Sequence, residues 1–142
     1  MIYLAHNAKT PVRPEVRDAM IAALQETGKA SSVHQAGRSA SRRIEDAREA
    51  VARLIGGRAQ DVVFTSGGTE ANNLAVLGSG RKRPVVSAVE HDSVLAAAGR
   101  DADIVPVDGD GIVVLDQLAD LLKQDGGNMI VSVMYANNET GV

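Results

Sequence analysis

Short apolar segments alternate with segments of helical periodicity along this chain, and that order constrains the fold more than any other feature. Apolar residues at helical spacing predict a helix over about residues 14–25, and a longer one from near His34 or Gly37 to Gly56. Beyond it the predicted order is strand 62–65, a helix, strand 85–86, helix 92–99, strand 104–107, helix 115–122 and strand 130–134. This alternation predicts an α/β fold whose mostly parallel sheet is covered by helices on both faces.

Distinctive polar residues follow three of the predicted strands. These segments read SGGTEANN, EHDS and YANNETG. Because ligands of open parallel sheets bind beyond the carboxyl ends of the strands, we expect a binding site where these three segments meet.

The segment FTSGGTEANN places two glycines between a predicted strand and a predicted helix. The free N–H groups and the positive dipole at a helix N-terminus favour an anion such as phosphate. Gly67 and Gly68 let the backbone approach that anion, and the hydroxyls of Ser66 and Thr69 add donors. The segment matches neither the Rossmann nor the P-loop spacing. An alternative is that Ser66 or Thr69 only caps the helix after a tight turn.

Composition excludes several other classes of function. A chain of 142 residues with 44% hydrophobic residues predicts a single domain, and a net charge of −3 gives no electrostatic footprint for nucleic acid or an anionic membrane. There is no cysteine for a disulfide, a thiolate metal site or a thiol nucleophile. The acidic turn DGDG lacks EF-hand spacing, so no metal site is expected. With neither a signal segment nor a membrane span in the sequence, the expected location is the cytoplasm.

Five segments in order carry a family likeness: YLAHNAKTP, SSVHQAGRSA, FTSGGTEANN, EHDSV and NNETGV. Together they resemble the cysteine desulfurases of the NifS/IscS type, which are class V aminotransferases among the fold type I pyridoxal-phosphate enzymes. The likeness covers essentially the whole chain. It implies that residues 1–142 are the N-terminal part of the large, cofactor-binding domain of such an enzyme.

The resemblance implies a role for four residues in binding pyridoxal phosphate. Gly68 and Thr69 would hold the phosphate through their backbone, with help from the Thr69 hydroxyl. His91 would stack on the pyridine ring and take part in proton transfers as a catalytic residue. Asn138 would donate a hydrogen bond to the phenolic oxygen of the cofactor.

Two of these residues also have a purely structural interpretation. Without the family likeness, the sequence favours His91 as an ordinary residue before a helix that is capped by Asp92 or Ser93. Without that likeness, the sequence also favours Asn137 and Asn138 as turn-forming residues ahead of Gly141.

Several groups that such chemistry requires are missing from the sequence. The family's Schiff-base lysine, the acidic partner of the pyridine nitrogen, the sulfur-accepting cysteine and the substrate-binding arginine all follow NNETGV. The chain is therefore expected to be inactive alone, and to expose an apolar face where the rest of the sheet packs. The missing C-terminal half would be its first partner.

The activity implied is removal of sulfur from L-cysteine, giving L-alanine and an enzyme-bound persulfide for Fe–S clusters or another sulfur acceptor. The family also implies a homodimer and a sulfur-acceptor or scaffold protein as a partner. One alternative is another class V enzyme, such as a selenocysteine lyase or an aminotransferase. Another is a truncated, non-catalytic binding or dimerisation module, which the missing lysine favours and the retained Thr69, His91 and Asn138 disfavour.

Overall fold

The computed structural model describes residue 6 and residues 9–142, so much of the YLAHNAKTP segment lies outside the described residues. Contacts between Cα atoms divide the chain into two compact units, which meet in sequence between Phe64 and Thr65. Each unit is described separately.

The first unit contains the two predicted helices. Helix α1 spans Pro14–Leu24 and begins with a proline, which suits the first helical position because its missing N–H needs no acceptor there. Helix α2 spans Gln35–Ile55. Gly56 ends α2 in the left-handed conformation with φ of 68°, where a side chain would be strained. The structure thus confirms both helices.

The segment between α1 and α2 packs closely on the first turn of α2. A Cβ atom on Gly28 would lie under 3.0 Å from the carbonyl oxygen of Ala36. A Cβ atom on Gly37 would lie 2.8 Å from the carbonyl oxygen of Lys29 and even closer to that of Ser32. These contacts involve backbone atoms, which cannot rotate away as a side chain can, so both positions require glycine.

The predicted strand at residues 62–65 is wrong. Val62 is extended, with φ of −87° and ψ of 123°, but within the described residues this segment pairs with no strand. A strand needs a neighbouring backbone for its hydrogen bonds, and the carbonyl oxygen of Val62 instead accepts one from the Arg48 guanidinium. That guanidinium also lies 5.0 Å from the centroid of the Phe64 ring. Arg48 therefore holds the segment on α2 in place of a sheet partner.

The second unit alternates helices with parallel strands. The sheet has the order β2-β1-β3, and β1 is parallel to both of its neighbours. The elements are α3 (Gly68–Gly78), β1 (Arg83–Ser87), α4 (Asp92–Ala98), β2 (Asp103–Val105), α5 (Leu115–Asp125) and β3 (Met129–Ser132). The predicted α/β fold with a parallel sheet is confirmed.

The core of this unit lies against the central strand. Val85, Val105 and Met129 form a buried cluster on one face of the sheet, and Leu118 and Leu121 of α5 pack against it. Val86 must point to the opposite face because successive side chains alternate along a strand. It is only 1% exposed, so β1 is covered on both sides, as a central parallel strand should be.

The outer strands carry exposed apolar side chains. Ile104 on β2 is 51% exposed and Val131 on β3 is 40% exposed. Each edge strand therefore carries an exposed apolar side chain. None of the helices in the described part of the chain is both long and apolar enough to cross a membrane.

Candidate functional site

The N-terminus of α3 presents free backbone donors beside open space. Gly67 precedes the helix in an extended conformation, and the first helical hydrogen bond runs from the Ala71 N–H to the Gly67 carbonyl oxygen, 3.1 Å away. The N–H groups of Gly68, Thr69 and Glu70 therefore have no acceptor within the helix. No atom lies within 4 Å of the Cβ position of Gly67 or Gly68. This geometry leaves room for an anion to meet the helix dipole directly.

The turn before α3 is held by its own polar groups. The Ser66 N–H donates to the Glu70 carboxylate at 2.6 Å, and the Thr65 hydroxyl donates to the Gly67 carbonyl oxygen at 3.1 Å. Hydrogen bonds from the Ser66 hydroxyl and then from its N–H lower the pKa of Glu70. Neither Ser66 nor Thr69 caps the helix through its side chain, so the alternative of simple capping is wrong.

His91 caps the next helix with its own ring. Its Nδ1 accepts a hydrogen bond from the Ser93 N–H, 3.1 Å away, at the start of α4. The interpretation in which Asp92 or Ser93 caps α4 is therefore wrong. Capping fixes one edge of the ring to the backbone, while the residue as a whole remains exposed.

The turn that carries His91 rests on a buried polar pair. The Ser87 hydroxyl donates to the Glu90 carboxylate at 3.1 Å, and the Glu90 N–H donates to the Ser87 carbonyl oxygen at 3.3 Å. Both residues are buried, with Ser87 at the end of β1 fully inaccessible. The position of His91 is thus determined by the end of the central strand.

His91 lies at two cavities. The first, of about 320 Å³, is lined by His91 together with Gly68 and Thr69 of α3. The second, of about 410 Å³, is lined by His91 and by Asn138 of the segment after β3. The four residues singled out in the sequence therefore lie around two cavities that share one imidazole. The Thr69 hydroxyl and the Asn138 side chain form no hydrogen bond with another described residue, so both remain available to a ligand.

Asn137 and Asn138 have different structural roles. The Asn137 side chain accepts hydrogen bonds from the N–H groups of Glu139 (2.9 Å) and Thr140 (3.0 Å). It also donates to the carbonyl oxygen of Val89 at 3.2 Å. The interpretation as a turn former therefore holds for Asn137, which ties the segment after β3 to the segment before His91. Asn138 is exposed.

Replacing Asn137 by alanine should destabilise this segment by about 2 kcal/mol, because three hydrogen bonds of a half-buried side chain are lost. Amide hydrogen exchange should then speed up at Glu139 and Thr140. Asn138→Ala is the matched control and should leave their exchange unchanged. Equal exchange in the two variants would contradict the role given to Asn137.

Sequence reasoning missed Asn72 and Ser93, which also line the first cavity. Asn72 follows Gly68 by one helical turn and so shares its face of α3, a signal that the sequence does contain. Ser93 was considered only as a cap. In the described part of the chain, no group of three or more His, Cys, Asp or Glu residues could hold a metal ion.

Comparison with known proteins identifies the family of this chain. The profile of the family described as aminotransferase class-V matches residues 2–142. The chain belongs to this class-V aminotransferase family. An IscS-like cysteine desulfurase of Mycobacterium tuberculosis is 42% identical, covering 99% of this chain and 40% of the relative. A selenocysteine lyase of Bos taurus is 36% identical over 99% of this chain and 39% of its own length.

The fold of this class-V chain also matches a solved structure. The X-ray structure of a NifS-like protein from Rickettsia africae superposes with a TM-score of 0.86 and 35% sequence identity. The match covers 96% of this chain and 40% of that chain. The class-V chain thus spans about two fifths of the length of the relatives it matches.

Proposed function

We propose that this chain forms the phosphate- and ring-binding part of a pyridoxal-phosphate-dependent cysteine desulfurase. The observation that carries the proposal is the arrangement of Gly68, Thr69, His91 and Asn138 around two cavities that share His91. Membership of the class-V family and the relatives named as cysteine desulfurases support it.

The residues present fit this cofactor. The free N–H groups of Gly68 and Thr69 and the Thr69 hydroxyl form a donor set for a phosphate. The exposed imidazole of His91 offers a flat surface to an aromatic ring, and Asn138 offers an amide donor to a phenolic oxygen. When bound, pyridoxal phosphate supplies an electron sink for the carbon that bears the substrate's amino group.

The remaining chemical groups must come from outside this chain. Removing sulfur from L-cysteine to give L-alanine and a persulfide requires a thiol, and the sequence has no cysteine. None of its four lysines lies in the family's Schiff-base context; they are Lys9, Lys29, Lys82 and Lys123. We therefore assign the thiol and the cofactor lysine to the region that the longer relatives have in addition. The family also suggests a homodimer and a sulfur-acceptor or scaffold protein as partners.

A selenocysteine lyase is the second candidate. The relative of that name from Bos taurus is 36% identical to this chain, close to the values for the desulfurases. In both cases the chain would hold the cofactor in the same way. Substrate choice would be tested by supplying the missing region in trans and comparing sulfide release from L-cysteine with selenide release from L-selenocysteine. Selenide release from L-selenocysteine without sulfide release from L-cysteine would favour the lyase.

Binding of pyridoxamine 5′-phosphate to the chain tests the proposed site directly. This ligand has the phosphate and the ring but no aldehyde, so it cannot react with the four lysines. Thr69→Val keeps the shape of the side chain but removes the hydroxyl, and should weaken binding about tenfold because a hydrogen bond to a charged group is lost. Thr69→Ser keeps the hydroxyl and is the matched control.

Calorimetry with pyridoxamine, which lacks the phosphate, completes this test. Thr69→Val should leave its affinity unchanged. A loss of affinity for both ligands would contradict phosphate recognition by Thr69. An affinity for pyridoxamine 5′-phosphate that does not change in His91→Ala would favour the non-catalytic module over the enzyme.

A further inference from the structure

Among the described residues, hydrogen bonds reach the His91 ring at one nitrogen. Its Nδ1 lies 3.1 Å from the backbone nitrogen of Ser93 and 2.8 Å from the Ser93 hydroxyl oxygen. The same hydroxyl oxygen accepts a hydrogen bond from the side-chain amide of Asn72, 2.8 Å away. No hydrogen bond from the described residues reaches Nε2. Ser93 is buried at 7% exposure, so solvent competes little for its hydroxyl.

The hydrogen-bond donors around His91 determine which ring nitrogen carries the proton. The backbone N–H of Ser93 always donates, so Nδ1 must present a lone pair to it. Asn72 donates to the Ser93 oxygen, which leaves the hydroxyl proton free to point toward Nδ1 as well. A neutral His91 must then carry its proton on Nε2.

This cluster also connects the anion site to the ring. Asn72 stands one helical turn after Gly68 on the same face of α3, whereas Ser93 lies in the first turn of α4. The Asn72 to Ser93 hydrogen bond therefore joins the two helix N-termini that line the first cavity. Movement of α3 relative to α4 would break it.

We infer that Ser93 and Asn72 are positioning residues that fix His91 as the Nε2–H tautomer, so that the neutral ring offers a donor to a bound ligand at Nε2. The role at the ligand rests on the proposed function, whereas the tautomer does not. Through Nε2–H, His91 donates a hydrogen bond to an electronegative atom of the ligand. A proton that the ring transfers leaves from Nε2 rather than from Nδ1.

The tautomer is measurable in the ligand-free chain by long-range ¹H–¹⁵N correlation spectra of the histidine rings. At mildly alkaline pH, where imidazole is neutral, Nδ1 of His91 should give the signal of an unprotonated nitrogen and Nε2 that of a protonated one. The sequence has three histidines, and His91→Gln identifies the signals that belong to His91.

Asn72→Asp tests the Asn72–Ser93–His91 chain of hydrogen bonds with little change of shape. A carboxylate only accepts, so the Ser93 hydroxyl should turn toward it and stop donating to Nδ1, while the Ser93 backbone N–H continues to donate there. The tautomer ratio should shift about fivefold toward Nδ1–H, which is the effect of one ordinary hydrogen bond of about 1 kcal/mol. Ser93→Ala should shift the ratio in the same direction.

Asn73→Asp is the matched control, because it makes the same change of charge at the next residue. The Asn73 side chain donates to the Thr69 carbonyl oxygen at 2.8 Å and takes no part in the hydrogen bonds between Asn72, Ser93 and His91. Its spectrum should show the wild-type tautomer. Backbone amide spectra of all variants confirm that the fold is retained.

A wild-type ring with its proton on Nδ1, or an unchanged ratio in both Asn72→Asp and Ser93→Ala, would overturn the inference. These outcomes are independent of the cofactor. Failure to bind pyridoxamine 5′-phosphate, with the tautomer as inferred, would contradict the proposed function alone.

Discussion

Gly68→Pro is expected to weaken binding of pyridoxamine 5′-phosphate at least about tenfold, the effect of losing one hydrogen bond to a charged group. Proline suits this position because Gly68 is the first residue of α3, where its N–H has no helical acceptor. Gly67 is also outside the α conformation that a following proline disfavours. The variant therefore removes one backbone donor while leaving the helix intact. Titration calorimetry on the variant and wild-type chains measures the ratio of affinities.

Gly68→Ala is the control for this substitution. It keeps the N–H, and its Cβ would meet no atom within 4 Å. We expect a smaller loss of affinity than with proline, and far-UV circular dichroism should show equal helix content in both variants. Equal affinities of the two variants would show that the Gly68 N–H does not bind the phosphate.

Gly37→Ala is expected to destabilise the first unit by about 3 kcal/mol, at the upper end of the usual cost of overpacking. The added methyl group would lie 2.8 Å from the carbonyl oxygen of Lys29 and closer still to that of Ser32. The loop between α1 and α2 would have to move away from the first turn of α2. Urea unfolding followed by circular dichroism should show the lower stability, and slower proteolysis of this loop than in the wild type would contradict it.

Gly78→Ala provides the opposite expectation at another helical glycine. Its Cβ would lie 3.5 Å from the nearest Leu74 methyl carbon, which is an ordinary contact. Because alanine has less backbone freedom than glycine in the unfolded chain, this change should stabilise the protein by about 0.5–1 kcal/mol. The two glycines would then differ in the sign of their effect, although both lie in helices of the structure.

The locally encoded parts of the fold were predictable. The positions of α1, α2, α4 and α5 followed from apolar spacing over one or two turns, and the parallel sheet followed from their alternation with short strands. The segment at residues 62–65 was mispredicted for the same reason. Its side chains favour an extended backbone, but pairing depends on a neighbouring strand, and Arg48 takes that place in the structure.

The sequence by itself determined the chemistry available at the site. Two glycines before a helix provide free N–H donors, and the order of the five motifs indicated the family that the profile match then showed. It also established that this chain contains no thiol. These properties depend on residue identity and on neighbours in the chain, so no tertiary contact is needed to deduce them.

Only the tertiary structure decided how those groups are oriented. The Asn72 to Ser93 hydrogen bond joins residues 21 positions apart, and the Asn137 to Val89 hydrogen bond joins residues 48 positions apart. Periodicity carries no information about such distant pairs, because a hydrogen bond forms only when packing brings its donor and acceptor within about 3 Å.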